Sequence, residues 1–267
     1  MDALRGKTVL ITGASSGIGR GTALRLASVG AELSLAARNV DALEDVRREC
    51  ENRGGKAIVL PTDVAVSEQV EQTVAKTVDQ FGKLDVLLCS AGISMRAYFE
   101  GSQLAAMERV MQINFFGTLY ATHYALPHIK KSGGSLVAIS SLTGKRGIPS
   151  YSIYGASKFA VQGLYEALEL ELRRDGVHVG VVSPAFVDTP LRNNILGPDG
   201  KIWSVPLSPP LRIWPLEKCV DKVVRLIAKR KRQAIIPWYA GPLLVVDEML
   251  GRVPGNRLLT RKFPRLS

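Results

Sequence analysis

The chain has 267 residues, 46% of them hydrophobic and 22% charged, with 35 Lys plus Arg against 24 Asp plus Glu and a formal net charge of +11. This length suffices for one sizeable core, so a single domain over 1–267 is expected. No run of about 18 unbroken apolar residues predicts a spanning helix, the start at Met1-Asp2-Ala3-Leu4-Arg5-Gly6 lacks the features of a signal peptide, and Cys50, Cys89 and Cys219 are too scattered for a disulfide framework or zinc spacing, which fits a reducing cytoplasmic setting.

In chain order, short apolar runs alternate with segments of helical period. Thr8 to Ile11 reads as a buried strand, Gly17 to Gly30 as a helix, Glu32 to Ala37 as a second strand, and Val40 to Arg53 as a helix ending at Gly54-Gly55. Ala57 to Leu60 is the third predicted strand. Ser67 reads as the N-cap of a helix reaching Gly82, and Leu84 to Cys89 as the fourth strand. One long helical stretch covers Leu104 to Lys131. Ser135 to Ile139 is the fifth strand, Tyr154 to Arg174 a helix, Val177 to Val182 the sixth strand, Glu217 to Arg232 a helix and Ala234 to Ile236 a last short strand. Such alternation predicts an α/β fold: a doubly wound, Rossmann-type parallel sheet covered on both faces.

Two segments break the rhythm. Residues 184–215 hold seven prolines (Pro184, Pro190, Pro198, Pro206, Pro209, Pro210 and Pro215) and read as a long loop of the kind that forms a lid. Its Phe186, Ile195, Leu196, Trp203, Val205, Leu207, Ile213 and Trp214 suit either a hydrophobic pocket or packing within the loop itself. The extension 238–267 mixes Leu243, Leu244, Val245, Val246, Met249 and Leu250 with Arg252, Arg257, Arg261, Lys262 and Arg265. An oligomer contact, a pocket wall and a basic segment on a membrane surface all fit it; packing against the domain is the reading we favour. The densest basic run, Lys229-Arg230-Lys231-Arg232, reads as a solvated helix end complementing the helix dipole. The basic residues are not gathered into one recognition element, so the charge balance predicts an anionic cofactor rather than nucleic acid.

The first strand runs into Thr12-Gly13-Ala14-Ser15-Ser16-Gly17-Ile18-Gly19. Gly13 permits a sharp turn, while Gly17 and Gly19 let a bulky anion approach the helix N-terminus, where free N–H groups and the dipole favour phosphate. The spacing departs from the Gly-x-Gly-x-x-Gly fingerprint, but its position on the first strand–helix turn points to a dinucleotide. About 20 residues after the glycines an NAD site carries Asp or Glu for the ribose 2′-OH. Here the chain reads Leu35-Ala36-Ala37-Arg38-Asn39, and Arg38 suits a 2′-phosphate, so NADP(H) is the expected cofactor. The same turn matches Gly-x-Ser-x-Gly, which would make Ser15 a hydrolase nucleophile served by His123, His128 or His178. That alternative is disfavoured because a nucleophile elbow normally follows several strands.

Downstream, Ser141 follows the fifth strand and Tyr154-Gly155-Ala156-Ser157-Lys158 opens a helix. Tyr and Lys four apart share one helix face. A Tyr with an ordinary pKa of about 10 exchanges protons poorly near neutrality. A nearby ammonium and a positively charged nicotinamide would favour its phenolate, and Ser141 would hold a substrate oxygen against it.

From Lys7 to Thr189 these motifs resemble the short-chain dehydrogenase/reductase family. The resemblance implies cofactor contacts from Gly13, Ser15, Ser16, Gly17, Ile18 and Gly19, from Asp63 and Val64 at the adenine, from Ala91, Gly92, Pro184 and Val187, and from Thr189 at the nicotinamide amide. It implies that Asn114 bends the long helix and supports a relay water, that Ser141 orients the carbonyl, that Tyr154 is the acid/base, and that Lys158 holds the ribose and tunes Tyr154. No metal is expected. Cys89 stands where the family usually has Asn, and Ala185 where it usually has Gly. The implied activity is interconversion of a secondary alcohol and a ketone on a lipophilic substrate such as a steroid, long-chain ketone or 3-oxoacyl thioester. A homodimer or homotetramer is implied as well. A catalytically silent NADP-binding regulator remains open beside it.

Overall fold

The computed structural model describes residues 2–203 and 213–262. Its elements in chain order are β1 (Thr8–Thr12), α1 (Gly17–Ala27), β2 (Glu32–Ala37), α2 (Val40–Glu51), β3 (Lys56–Pro61), α3 (Ser67–Phe81), β4 (Val86–Cys89), β5 (Ser94–Met95), α4 (Leu104–Met111), α5 (Gly117–Ser132), β6 (Ser135–Ile139), α6 (Ser152–Glu171), β7 (His178–Pro184), β8 (Ile195–Leu196), α7 (Leu216–Ala228), β9 (Gln233–Ile236), α8 (Ala240–Met249) and α9 (Val253–Lys262). Seven strands form one parallel sheet in the order β3-β2-β1-β4-β6-β7-β9. The winding reverses between β1 and β4, where Thr12 pairs with Cys89. In open α/β sheets ligands settle in the crevice beyond the strand ends at such a switch point.

The strands read as unbroken apolar runs because both faces are covered. Val9, Ile11, Leu33, Leu35, Val86, Leu88 and Val137 face one layer, where α1, α2 and α7 supply Leu26, Leu43, Val46, Val220 and Val223. Leu10, Leu87, Leu136 and Ala138 face the other, where α3, α5 and α6 supply Val70, Val74, Ala125, Ile129, Val161 and Tyr165. Cys89 lies on this second face, with Tyr165 donating its hydroxyl to Sγ at 3.6 Å and Thr122 bonded to the same hydroxyl at 2.9 Å.

Several local expectations are corrected. Ser67 does not cap α3: Val66 is the N-cap, and the Ser67 hydroxyl bonds Tyr124 Oη at 2.9 Å. The long helix runs from Leu104 to Ser132 as expected, but a π-helical turn over Gln112–Phe116, which holds Asn114, joins α4 to α5. The basic run is exposed at the end of α7, as expected, but it is also tied down. α7 stops at Ala228, Arg230 turns back with φ +48° and donates to the Gly133 and Gly176 carbonyls, and Arg232 pairs with Glu169 at 2.9 Å.

The stretch after Pro184 is also more ordered than a loop. β8 pairs in parallel with β5, Ser94 opposite Ile195 and Met95 opposite Leu196, and Val187 bridges to Trp214. Val205, Leu207, Pro206, Pro209, Pro210 and Arg265 lie outside the described residues. The extension forms α8 and α9, tied down at Ala240, Asp247, Asn256 and Leu259, while Leu243, Val245, Val246, Met249 and Leu250 stay exposed rather than packing on the domain. Among the described residues no helix is long and apolar enough to cross a membrane, and no cluster of His, Cys, Asp or Glu could hold a metal ion.

Candidate functional site

A cavity of about 940 Å³ opens beyond the carboxyl ends of β1, β2, β4, β6 and β7. Every cofactor or catalytic candidate from the sequence lines it except Asn114 and Gly19, which stand behind its wall.

At one end, the β1–α1 turn brings Gly13, Ser15, Ser16, Gly17 and Ile18 to the surface of the cavity. Gly13 sits at φ +69°, and a Cβ there would lie 2.7 Å from the Ala91 backbone. Gly19 has a different task from the expected one. A side chain at Gly19 would strike the Gly13 carbonyl, so this glycine lets helix and turn close on each other rather than admitting an anion. Ser16 is the N-cap of α1 but makes no side-chain cap bond. The first-turn N–H groups of α1 therefore keep their donors for a phosphate. Arg38 lies exposed at the end of β2, on the same cavity, with no ion-pair partner among the described residues. Asp63 turns its Oδ1 to the Ala65 amide at 3.0 Å and lines the cavity with Val64. This donor set fits a dinucleotide: free helix amides, a backbone cradle that a Cβ would fill, and a cation beyond β2.

Deeper in, Ser141 caps a short 3₁₀ turn and accepts the Thr143 amide at 3.2 Å. Its hydroxyl faces Tyr154, on the first turn of α6, closely enough to favour the phenolate. Lys158, one turn further, donates Nζ to the Ile139 carbonyl at 2.9 Å. All three side chains are buried: Ser141 is 8% exposed, Tyr154 9% and Lys158 5%. Burial pushes the Tyr154 phenol up to about 12, partly offset by the Ser141 hydroxyl, and pushes Lys158 down to about 8. The expected depression of the phenol is thus absent from the protein alone. The Lys158 ammonium is aimed at Ile139, with Nζ 5.9 Å from the Tyr154 ring centroid, and desolvation sets the direction of the phenol's shift.

Asn114 is fully buried on the π turn. Its Oδ1 accepts the Ile93 amide at 2.8 Å, and its Nδ2 donates to the Ile93 carbonyl and to Ser157 Oγ, each at 3.0 Å. It therefore clamps the β4–β5 connection to α6. Pro184, Val187 and Thr189 line the facing wall.

From the proline-rich stretch, Phe186, Ile195 and Leu196 line the cavity as the pocket reading expected, whereas Trp203, Ile213 and Trp214 do not. Sequence reasoning missed Ile93, Ile148, Tyr151, Leu191 and Ile202, and also the cations Arg109, Arg192 and Lys201. Tyr151 carried a usable signal, one helical turn before Tyr154. The cations carried none, because they come from separate elements. Among the described residues no histidine lines the cavity. His178 is held at the start of β7, the opposite edge of the sheet, by Ser135 Oγ at 3.0 Å and the Lys231 carbonyl at 2.9 Å. Ser15 has no base within this site, and the hydrolase alternative falls.

Comparison with known proteins agrees with this geometry. Residues 7–198 match the family described as short chain dehydrogenase. An Arabidopsis thaliana protein named 11-beta-hydroxysteroid dehydrogenase-like 4A is 37% identical over 230 residues, covering 85% of this chain and 75% of its own. A solved alcohol dehydrogenase from the archaeon Thermococcus sibiricus, complexed with 5-hydroxy-NADP, superposes with a TM-score of 0.75 at 26% identity, over 86% of this chain and 96% of its own. A short chain dehydrogenase from Mycobacterium paratuberculosis bound to NAD superposes with a TM-score of 0.76 at 26% identity, over 87% and 97%.

Proposed function

The chain belongs to the short-chain dehydrogenase family, and on that premise we propose that it is an NADP(H)-dependent oxidoreductase interconverting a secondary alcohol and a ketone on a lipophilic substrate. The observation that carries this reading is the meeting of the Ser141 hydroxyl and the Tyr154 phenol at the floor of a cavity whose far end offers the amides of α1 and the Arg38 guanidinium. Relatives bind either nicotinamide dinucleotide, so the choice of NADP(H) rests on Arg38 and on the lack of a carboxylate after β2.

In this reading the α1 N-terminus, with Ser15, Ser16, Gly17 and Ile18, holds the diphosphate. Arg38 takes the 2′-phosphate, and Asp63 with Val64 faces the adenine. Ala91, Gly92, Pro184, Val187 and Thr189 would bound the nicotinamide half, and Lys158 would hold the ribose. The nicotinamide, when bound, supplies or accepts the hydride. Ser141 donates to the substrate oxygen and fixes the carbonyl against Tyr154. Tyr154 gives its proton to that oxygen in reduction and takes it back in oxidation. Desolvation, with Tyr151 adding to it and Ser141 partly offsetting it, holds the phenol at about 12, so positive charge from Lys158 and the bound cofactor is needed to bring it into a working range. Asn114 keeps the Ile93 backbone and α6 in register and supports proton relay behind Lys158. The apolar wall of Ile148, Tyr151, Phe186, Leu191, Ile195 and Leu196 suits a lipophilic body.

The test is NADPH oxidation, followed at the nicotinamide absorbance, across hydrophobic ketones, steroids and 3-oxoacyl thioesters, with NADH alongside. Tyr154→Phe should retain NADPH binding and lose about 10²- to 10⁴-fold in turnover, the usual share of a general acid. Near wild-type turnover in that variant removes Tyr154 from the mechanism. NADPH binding without turnover on any substrate favours the silent-regulator reading.

A further inference from the structure

The cavity is electrostatically lopsided. Its described lining holds Arg38, Arg109, Lys158, Arg192 and Lys201 against one carboxylate, Asp63, which sits at the dinucleotide end beside Arg38. Arg38 and Lys158 have roles in the reading above. Arg109, Arg192 and Lys201 do not, and no carboxylate lines the cavity near them.

These three cations reach the one cavity from separate elements. Arg109 lies in the last turn of α4. Lys201 follows Gly200, at which a Cβ would lie 3.0 Å from the side chain of Ala106, three residues before Arg109. The Gln103 amide also donates to the Pro198 carbonyl at 2.8 Å, which fixes this loop to the start of α4. Arg192 enters from the 3₁₀ turn Pro190–Arg192 and is half-buried, with Asp188, an exposed carboxylate 3.8 Å away, as its ion-pair partner. Its charge is felt at the Tyr151 phenol, one helical turn before Tyr154, so it faces the substrate half of the cavity. The other nearby carboxylate, Asp199, spends Oδ1 on the Lys201 amide at 3.0 Å. Neither Asp188 nor Asp199 lines the cavity. The apolar residues Ile148, Tyr151, Leu191 and Ile195 line the same cavity.

Building on the oxidoreductase reading, we propose that Arg109, Arg192 and Lys201 form a subsite for an anionic group at the far end of the substrate, so that the preferred ketone carries an apolar body ending in a carboxylate or a phosphate. A neutral substrate of the same shape fills the apolar wall but leaves the three cations to water. Partly exposed ion pairs are worth up to about 1 kcal/mol each, or roughly fivefold in affinity. Three acting together should favour the anionic substrate by about tenfold or more. Exposed charges are screened by salt with a Debye length of about 8 Å at 0.15 M, so this preference should shrink as ionic strength rises.

The experiment uses the full chain with NADPH and three aliphatic ketones of equal length, ending in a carboxylate, a phosphate or the methyl ester of the carboxylate. The readout is the ratio of kcat/KM for each anionic ketone to that for the ester, in wild type and in Arg192→Gln, Lys201→Gln and the triple Gln variant. A wild-type ratio of about ten or more supports the subsite. It should fall with added salt and fall stepwise through the variants, mainly through KM. The larger of the two anionic ratios identifies carboxylate or phosphate as the group read. A wild-type ratio near one, or a high ratio that the triple variant leaves untouched, overturns the subsite while the oxidoreductase reading stands. Reduction of none of the three, with NADPH bound, counts against both. Melting curves of the variants separate a lost subsite from a lost fold.

Discussion

Arg38 carries the choice between the two dinucleotides, and its replacement is the sharpest test of that choice. It stands exposed at the end of β2, unpaired among the described residues, beside a stretch with no carboxylate. A hydrogen bond to a charged group contributes about 1.5–3 kcal/mol. Because Arg38 is open to water, the lower end applies, about 1.5 kcal/mol, or roughly tenfold in Kd. Arg38→Gln should therefore weaken NADPH about tenfold and leave NADH within about twofold, since NADH has no 2′-phosphate to lose. Arg38→Asp should do more. It sets a negative charge against the phosphate, adding roughly another 1 kcal/mol at the dielectric of bulk water, to which this exposed position is open, and it offers the 2′-OH an acceptor that favours NADH. The assay is equilibrium titration of both dinucleotides by fluorescence at about 0.15 M salt, where screening is moderate. An unchanged NADPH-to-NADH ratio in both variants would refute the assignment of Arg38 to the 2′-phosphate. It would also leave NADP(H) without a structural reason.

Three further outcomes follow from the same site. Lys158, 5% exposed, is held down to about 8 from 10.5. Below about pH 8 both folded and unfolded chains keep its proton and the burial penalty is felt in full. Between about 8 and 10.5 only the unfolded chain keeps it, so the Lys158 contribution to stability rises with pH by roughly 3 kcal/mol. The stability of wild type relative to Lys158→Met should rise by that much across the window, and parallel curves would contradict it. Arg146 lies in the loop after Ser141, with Nε 2.8 Å from Asp247 Oδ2, angled too poorly for a hydrogen bond and therefore ionic, and with its Nη2 on Asn256 Oδ1 at 2.6 Å. Both members of the Arg146–Asp247 pair are largely buried and Leu259 packs on Tyr151 and Tyr154, so Asp247→Ala should loosen α8 and α9 by about 2–3 kcal/mol and lower turnover; unchanged protease resistance of residues 238–262 would count against that tether. Asn114→Ala strips three hydrogen bonds from a fully buried position and should cost about 2–4 kcal/mol, with Asn114→Asp recovering little because a carboxylate cannot donate to the Ile93 carbonyl. Thermal melting checks it, and a shift within error would show that the clamp is not needed.

Much of this protein is legible in its sequence. Alternating apolar runs and helical segments predict the seven main strands, with β2 and β6 at their observed bounds, because a strand buried on both faces must be apolar throughout. The β1–α1 turn, Arg38, Ser141, Tyr154 and Lys158 are visible because their spacing is local: a turn, a strand end, one face of a helix. What spacing does not contain, only the tertiary structure decides. β5 and β8 are two residues each and exist because distant segments pair, so no periodicity announces them. Ser67 had the right residue type for a cap, yet Tyr124 offered its hydroxyl a partner across the packing. The Tyr154 pKa followed the same rule, since a Lys one turn away is a sequence fact but desolvation depends on everything packed around the phenol. Arg109, Arg192 and Lys201 are ordinary surface cations in the sequence. Their place on one cavity is set by where α4, the 3₁₀ turn after β7 and the loop after β8 come to rest, which long-range packing alone determines.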